Sequence, residues 1–223
     1  MKKIYIIFFV LIFYSCTIPY DLETRYIIET KLIDLNGNAI ANEKFSIYVS
    51  TNISSSIIYG GNSGETISNS ISDENGNIRF IFPKPDVEYF TFLMENNSNG
   101  NYYHKVISNI KEKNFIDYKL NLNEIKLVKF DEITSLLIEV NQINQNKELR
   151  KIEIIGQVYN ENEYLNPIDI LENYNYPQTY FILLNNQNFT LKYTIYNYST
   201  MLLEETLVNL NVTDQPIEYL LNY

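Results

Sequence analysis

The chain has one cysteine, one histidine and no tryptophan in 223 residues. Each scarcity closes a class of explanation. With Cys16 alone there is no intrachain disulfide, so a fold of this size is held by its hydrophobic core. One histidine and one cysteine cannot furnish a zinc site, which takes several such ligands, so no metal and no other cofactor is expected. The same scarcity bears on catalysis. His104 stands beside Tyr102 and Tyr103, with no local motif to supply an orienting carboxylate and a nucleophile. It reads as an ordinary strand residue, and the chain reads as a non-enzyme. Basic residues are also few: 17 Lys and Arg face 27 Asp and Glu, for a net charge of −10. That balance excludes nucleic acid as a partner, because binding it takes basic patches that displace counterions. It equally excludes docking on anionic lipid by charge.

Lys2 and Lys3 precede an uncharged run from Ile4 to Tyr14. As a helix rising about 1.5 Å per residue, the run covers about half of a ~30 Å hydrocarbon core. It is too short for a membrane span and suits the apolar region of a secretory signal. Phe13-Tyr14-Ser15-Cys16 closes it and resembles a lipobox, although Phe13 stands where leucine is usual. The resemblance implies a bacterial lipoprotein. Residues 1–15 are then its signal peptide, cut between Ser15 and Cys16, with acyl chains of the palmitate kind on Cys16. The thiolate is the nucleophile that this attachment needs, and two or three chains hold where one is marginal. Thr17 follows Cys16 in place of the aspartate that favours inner-membrane retention in some bacteria, which points to the outer membrane. Removing 15 residues with two lysines and no acid leaves 208 residues at a net charge of −12.

Most of the remaining chain alternates apolar and polar residues with period two, the pattern of half-buried strands. Phe45, Ile47 and Val49 do so, as do Ile78, Phe80 and Phe82, and Ile116, Tyr118, Leu120 and Leu122. Strands are expected at about 26–33, 43–50, 65–72, 77–82, 88–95, 102–110 and 115–122, with Pro83 and Pro85 ending the fourth. Asp34-Leu35-Asn36-Gly37-Asn38 and Asp73-Glu74-Asn75-Gly76-Asn77 read as hairpin turns, since Asn-Gly accepts positive φ. A calcium loop would place glycine sixth from the first acid, whereas Gly76 is fourth from Asp73. Both the first turn with Phe45-Ser46-Ile47 after it, and the second turn with Ile78-Arg79-Phe80, resemble the two signatures of carboxypeptidase regulatory-like domains, also called transthyretin-like or prealbumin-like. The resemblance implies a seven-stranded β-sandwich over about 23–125 and says little of function. The enzyme branch of that group ends in Tyr-Arg-Gly-Ser and uses several histidines. This chain ends in Tyr219-Leu220-Leu221-Asn222-Tyr223 and has one.

Strands are also expected around Leu136–Val140, Ile152–Val158 with Gly156 as a bulge, Phe189–Ile195, Thr206–Val212 and Ile217–Leu221. Asn166-Pro167 reads as the start of a short helix through about Asn173. The expected class is therefore all-β, with two tandem antiparallel β-sandwich modules, transthyretin-like then Ig-like. The boundaries are a signal peptide at 1–15, a tether at 16–22, a first sandwich at 23–128 and a second at 130–223. No stretch rich in Gly, Pro or Ser separates the two, so they are expected to pack together.

The chain carries 20 tyrosines. Enrichment in Asn, Ile, Lys, Tyr and Phe together fits the codon bias of an AT-rich genome, and core packing accounts for most of it. Tyr164, Tyr174 and Tyr176, with Tyr159 and Tyr180 nearby, are the candidate ligand-binding residues, because exposed tyrosines bury large area at low entropy cost. Glu161, Glu163, Asp169 and Glu172 read as a solvated loop, not an acid pair. The expected function is that of a non-enzymatic cell-envelope lipoprotein, a structural or binding platform. Its expected partners are the membrane, through the lipid anchor, and an envelope protein or glycan. The alternative is a surface lipoprotein that captures carbohydrate or peptide with its tyrosine-rich loop.

Overall fold

The computed structural model describes residues 18–50, 66–97, 100–166 and 177–223. Among the described residues it is all-β apart from two single 3-10 turns, Glu112–Asn114 and Phe130–Glu132. The first seven strands are β1 (Tyr20–Ile33), β2 (Lys44–Ser50), β3 (Thr66–Ile71), β4 (Asn77–Pro85), β5 (Tyr89–Asn96), β6 (Lys105–Lys111) and β7 (Lys119–Lys126). The remainder are β8 (Ile133–Asn141), β9 (Lys147–Ile155), β10 (Asn162–Tyr164), β11 (Tyr180–Leu184), β12 (Gln187–Asn197), β13 (Leu202–Val212) and β14 (Ile217–Asn222). Each expected strand has an observed counterpart within a few residues, while β10 and β11 have no expected one.

Four sheets form, ordered β4-β1-β7, β10-β6-β5-β2-β3, β11-β8-β14 and β13-β12-β9. The first two face each other over a core of Tyr26, Ile28 and Leu32 from β1, Phe80 and Phe82 from β4, Phe45, Ile47 and Val49 from β2, and Phe90, Phe92 and Met94 from β5. Their period-two spacing puts them on one face of each strand, which is why alternation in the sequence becomes a two-layer sandwich. Each such side chain gains about 1.5–3 kcal/mol on leaving water. A second core joins the other two sheets through Leu136, Ile138, Leu149, Phe181, Phe189, Leu191, Ile195 and Leu221.

Several local expectations are corrected. Three of the four sheets are mixed rather than antiparallel: β1 pairs with β7, β14 with β8 and β10 with β6 in parallel, while β13-β12-β9 is antiparallel throughout. Tyr20 and Asp21, expected in the tether, open β1 and pair with Pro85 and Lys84. Pro83 does not end β4 but lies inside it, and the strand runs on to end at Pro85. β4 is the outer strand of its sheet, so a residue without an N–H costs no ladder bond on the open side. Residues 115–118 are a turn, not the start of a strand. Asp117 and Tyr118 have φ of 50° and 63°, and Ile116 and Lys119 exchange two backbone hydrogen bonds around them, so the alternation of Ile116 and Tyr118 faces solvent. β9 ends at Ile155, and Gly156 is no bulge. A Cβ there would stand 2.7 Å from the Phe189 Cβ, so glycine is required by close approach.

The two Asn-Gly turns are near copies, but neither closes a hairpin within one sheet. Each carries the chain from one layer of the sandwich to the other. In each, only the glycine has positive φ, +84° at Gly37 and +80° at Gly76. The aspartate does the rest. Asp34 Oδ1 accepts from the Asn36 and Asn38 backbone N–H groups and Oδ2 from the Asn38 side chain, and Asp73 does the same with Asn75 and Asn77. These bonds hold both carboxyls below the ordinary carboxylate value, the side-chain bonds from Asn38 and Asn77 contributing most. Both aspartates are thus turn-forming residues.

Candidate functional site

Several buried polar side chains sit where the two cores meet. After β9 the chain bridges Val158 to Leu183 and bonds Tyr159 N–H to the Ile182 carbonyl, on the side of the second core. Three residues later β10 pairs with Val106–Ser108 of β6, on the side of the first. Residues 158–166 therefore form a strap belonging to both, whereas they were expected wholly within the second module. Val106 N–H donates to Glu161 O, Leu165 N–H to Ser108 O, and the Asn166 and Asn109 amides each donate to the other's carbonyl. The strap thereby satisfies the edge of β6, whose residues are almost all buried.

Tyr159, read as a member of an exposed tyrosine cluster, is buried with Val128 and Ile182 in a third small core, against Tyr103, Ile133 and Leu184. Its hydroxyl donates to the His104 carbonyl at 3.1 Å and its ring meets Tyr103 edge-on at 5.8 Å. Burial pushes the Tyr159 hydroxyl pKa up, with the Glu161 charge adding to it. His104 lies just before β6 rather than within a strand. Its Nε2 is 3.3 Å from Glu161 Oε2, though without the alignment of a hydrogen bond. Lys105, only 8% exposed, donates to the Asn160 carbonyl at 2.9 Å and sits 3.4 Å from Glu163. Glu163, solvent-exposed as expected, thus pairs with Lys105, while Glu161 is half-buried beside His104 and is not part of a solvated loop. A pairing between distant segments leaves no spacing signature, and only the lone histidine marked the place.

Beside the strap runs an open groove of about 1130 Å³ lined by Glu153, Val158, Asn160, Glu161, Asn162, Tyr164, Gln178 and Tyr180, among others. Tyr164 is 42% exposed and Tyr180 is 40% exposed. Of the candidate ligand-binding tyrosines the structure thus places Tyr164 in a groove, and it adds Tyr180 from β11. Tyr174 and Tyr176 lie outside the described residues, as do Ser15, Cys16, Asp169, Glu172 and the segment read as a short helix from Pro167. The charged lining residues of the groove are acidic. Its amides and aromatic rings suit a neutral ligand better than an anionic one. Among the described residues no helix is long and apolar enough to cross a membrane, and no group of three or more acids, histidines or cysteines is arranged for a metal ion.

No family model and no curated protein matches the chain. Among solved structures it is similar to the Bacillus anthracis TIE protein, at 13% identity and a TM-score of 0.30, over 89% of this chain and 34% of that one. The chain thus spans about a third of that protein. It is also similar to the D295N mutant of shaft pilin SpaA from Lactobacillus rhamnosus GG, at 11% identity and a TM-score of 0.36, over 89% of this chain and 98% of the pilin. A third is the D312A form of BcpA, the major pilin subunit of Bacillus cereus, at 13% identity and a TM-score of 0.29, over 85% and 70% of the two chains. Likeness at this level says nothing of function.

Proposed function

We propose that the chain is a non-enzymatic lipoprotein of a bacterial cell envelope, held by acyl chains on Cys16, whose strapped β-sandwiches form a structural or binding platform at the outer membrane. The strap carries this reading. The side chains with chemical potential, His104, Lys105, Tyr159, Glu161 and Glu163, are spent on joining the two cores. That is the use expected of a load-transmitting or presenting body. β1 begins at Tyr20, four residues beyond Cys16. At most about 14 Å of extended chain then separates anchor from fold, so the body rests close to the membrane surface. Membrane extraction and intact-mass measurement test the reading. The mature chain should begin at Cys16 with added acyl mass, and Cys16→Ser should release it. A mature chain that lacks acyl mass ends the proposal.

The groove supports a second reading, capture of a neutral glycan on Tyr164 and Tyr180, with Asn160, Asn162 and Gln178 as hydrogen-bonding groups. Both tyrosines are partly exposed, so Tyr164→Ala and Tyr180→Ala should leave the fold intact. Binding on a glycan array that both variants abolish would establish it. Binding that survives both would remove the groove from consideration.

A further inference from the structure

We propose that the outer edge of β13 is a self-association surface, where a second copy of this chain lays its own β13 antiparallel and joins two three-stranded sheets into one of six. Among the described residues β13 is the terminal strand of its sheet, and it pairs with β12 without a bulge from Leu202 to Val212. Exposed edges of this length are normally guarded by lysine, proline, a bulge or inward charge, because they template pairing with another chain. β13 has no lysine, proline or glycine. Its only charges are neutralised locally: Glu204 by Lys147 at 2.7 Å, and Glu205 by Lys192 at 2.8 Å. From Thr206 to Val212 there is none. Leu203 and Leu207 are nonetheless 64% and 63% exposed, and Met201 and Leu202 beside them are equally open.

Charge and register select the second copy as occupant. Two chains that each carry a net charge of −10 repel over most of their surfaces and least along the uncharged stretch Thr206–Val212. One antiparallel register alone pairs all eleven residues of β13 with themselves, and it puts Leu207 on the two-fold axis. Leu207 then faces Leu207 of the second copy. Glu205 faces Asn209 of the copy, Leu203 faces Asn211, Thr206 faces Val208 and Glu204 faces Leu210. No like charges oppose, and the otherwise unexplained exposed leucine gains an apolar cross-strand neighbour.

The test uses the full chain, extracted from membranes and oxidised gently, with the unsubstituted chain as control for Cys16. Leu207→Cys should give a reducible band at twice the monomer mass, since directly opposed strand residues lie within disulfide reach. Leu203→Cys is equally exposed, yet its twin lies eight residues along the partner strand, about 27 Å away at ~3.4 Å per residue, and should not link. Leu207→Lys should lose the dimer in sedimentation velocity, and mixing it with Leu207→Glu should restore it. The proposal is overturned if Leu203→Cys links as readily as Leu207→Cys, if neither links, or if Leu207→Lys leaves the dimer unchanged.

Discussion

Replacing Gly37 and Gly76 separately by alanine isolates two costs that usually arrive together. The turns around them share the same aspartate bonds and nearly the same φ, but differ in what surrounds the glycine. A Cβ on Gly37 would have no atom within 4 Å, so Gly37→Ala pays only for an L-residue in the left-handed region, about 1 kcal/mol. A Cβ on Gly76 would stand 2.5 Å from the Leu32 carbonyl oxygen and 3.3 Å from both Ala39 Cβ and Ile40 N. An unstrained C···O contact needs roughly 3.4 Å, so the carbonyl or the turn must move by about 0.9 Å. That carbonyl accepts from Ile40 N–H at 3.0 Å, and Leu32 N–H donates to Gly76 O at 2.8 Å. Losing one of these bonds costs about 1 kcal/mol. Displacing Leu32 and Ile40, both wholly buried, costs about 1 kcal/mol more. Gly76→Ala should therefore destabilise by about 3 kcal/mol against about 1 kcal/mol for Gly37→Ala. With a urea m-value of about 2 kcal/mol/M, the unfolding midpoint should fall by about 1.5 M and about 0.5 M respectively, at unchanged slope. Midpoints falling equally would refute the reasoning, because backbone conformation alone would then set the cost.

Three further predictions follow from buried polar groups and the turn carboxylates. Tyr26 is 2% exposed and its hydroxyl has no hydrogen-bond partner among the described residues, so Tyr26→Phe should stabilise by about 1 kcal/mol and raise Tm by about 3 °C; a lower Tm would show that the hydroxyl is satisfied. Tyr159→Ala empties the small core under the strap and removes the bond to His104, at about 3 kcal/mol or more. Calorimetry should then show two transitions where the parent shows one, and a single shifted transition would mean that other contacts couple the cores. Asp34 and Asp73 have folded pKa values below the ordinary 3.8, so their contribution is complete above that value and fades as pH falls through the lowered folded values. Thermal melts from pH 6 to pH 2 should show stability declining below about pH 4, and the double variant Asp34→Asn, Asp73→Asn should decline less steeply over that window.

The fold was legible wherever one face of a strand meets the core and the other meets water. β4 shows this, with Ile78, Phe80 and Phe82 buried and Asn77, Arg79 and Ile81 exposed between them. It was illegible where that contrast fails. β11 reads Tyr-Phe-Ile-Leu-Leu, with three consecutive buried residues and thus no period. β10 is three residues of Asn-Glu-Tyr whose only qualification as a strand is its partner β6, more than fifty residues earlier. Residues 115–118 deceived in the opposite sense, since Ile116 and Tyr118 alternate on a turn that exposes both. The candidate site divides similarly. Tyr164 lines the groove, whereas Tyr159 is structural and Tyr180 joins because β11 carries it there.

The strap also constrains where function can lie. A buried lysine such as Lys105 is tolerated only when its charge is met, and here Asn160 and Glu163 of the strap meet it. Withdrawing the strap would leave Lys105 uncompensated and uncover the edge of β6, so its release costs several kcal/mol on charge alone. The strap thus ties the two cores together, with His104 and Glu161 facing each other at the junction and Glu161 also lining the groove. Among the described residues, the groove at Tyr164 and Tyr180 and the outer edge of β13 are two surfaces that the strap does not use. The groove is lined by the strap, by Glu153 and Ile154 of β9 and by residues 177–182 around β11, while β13 is the edge of its sheet opposite β9. A ligand in the groove and a second copy on β13 thus use different elements. Leu207→Lys should abolish pairing and leave any glycan binding intact, whereas Tyr164→Ala should do the reverse. If one substitution abolished both, the two surfaces would have to be one site, and the separation drawn from the strap would fail.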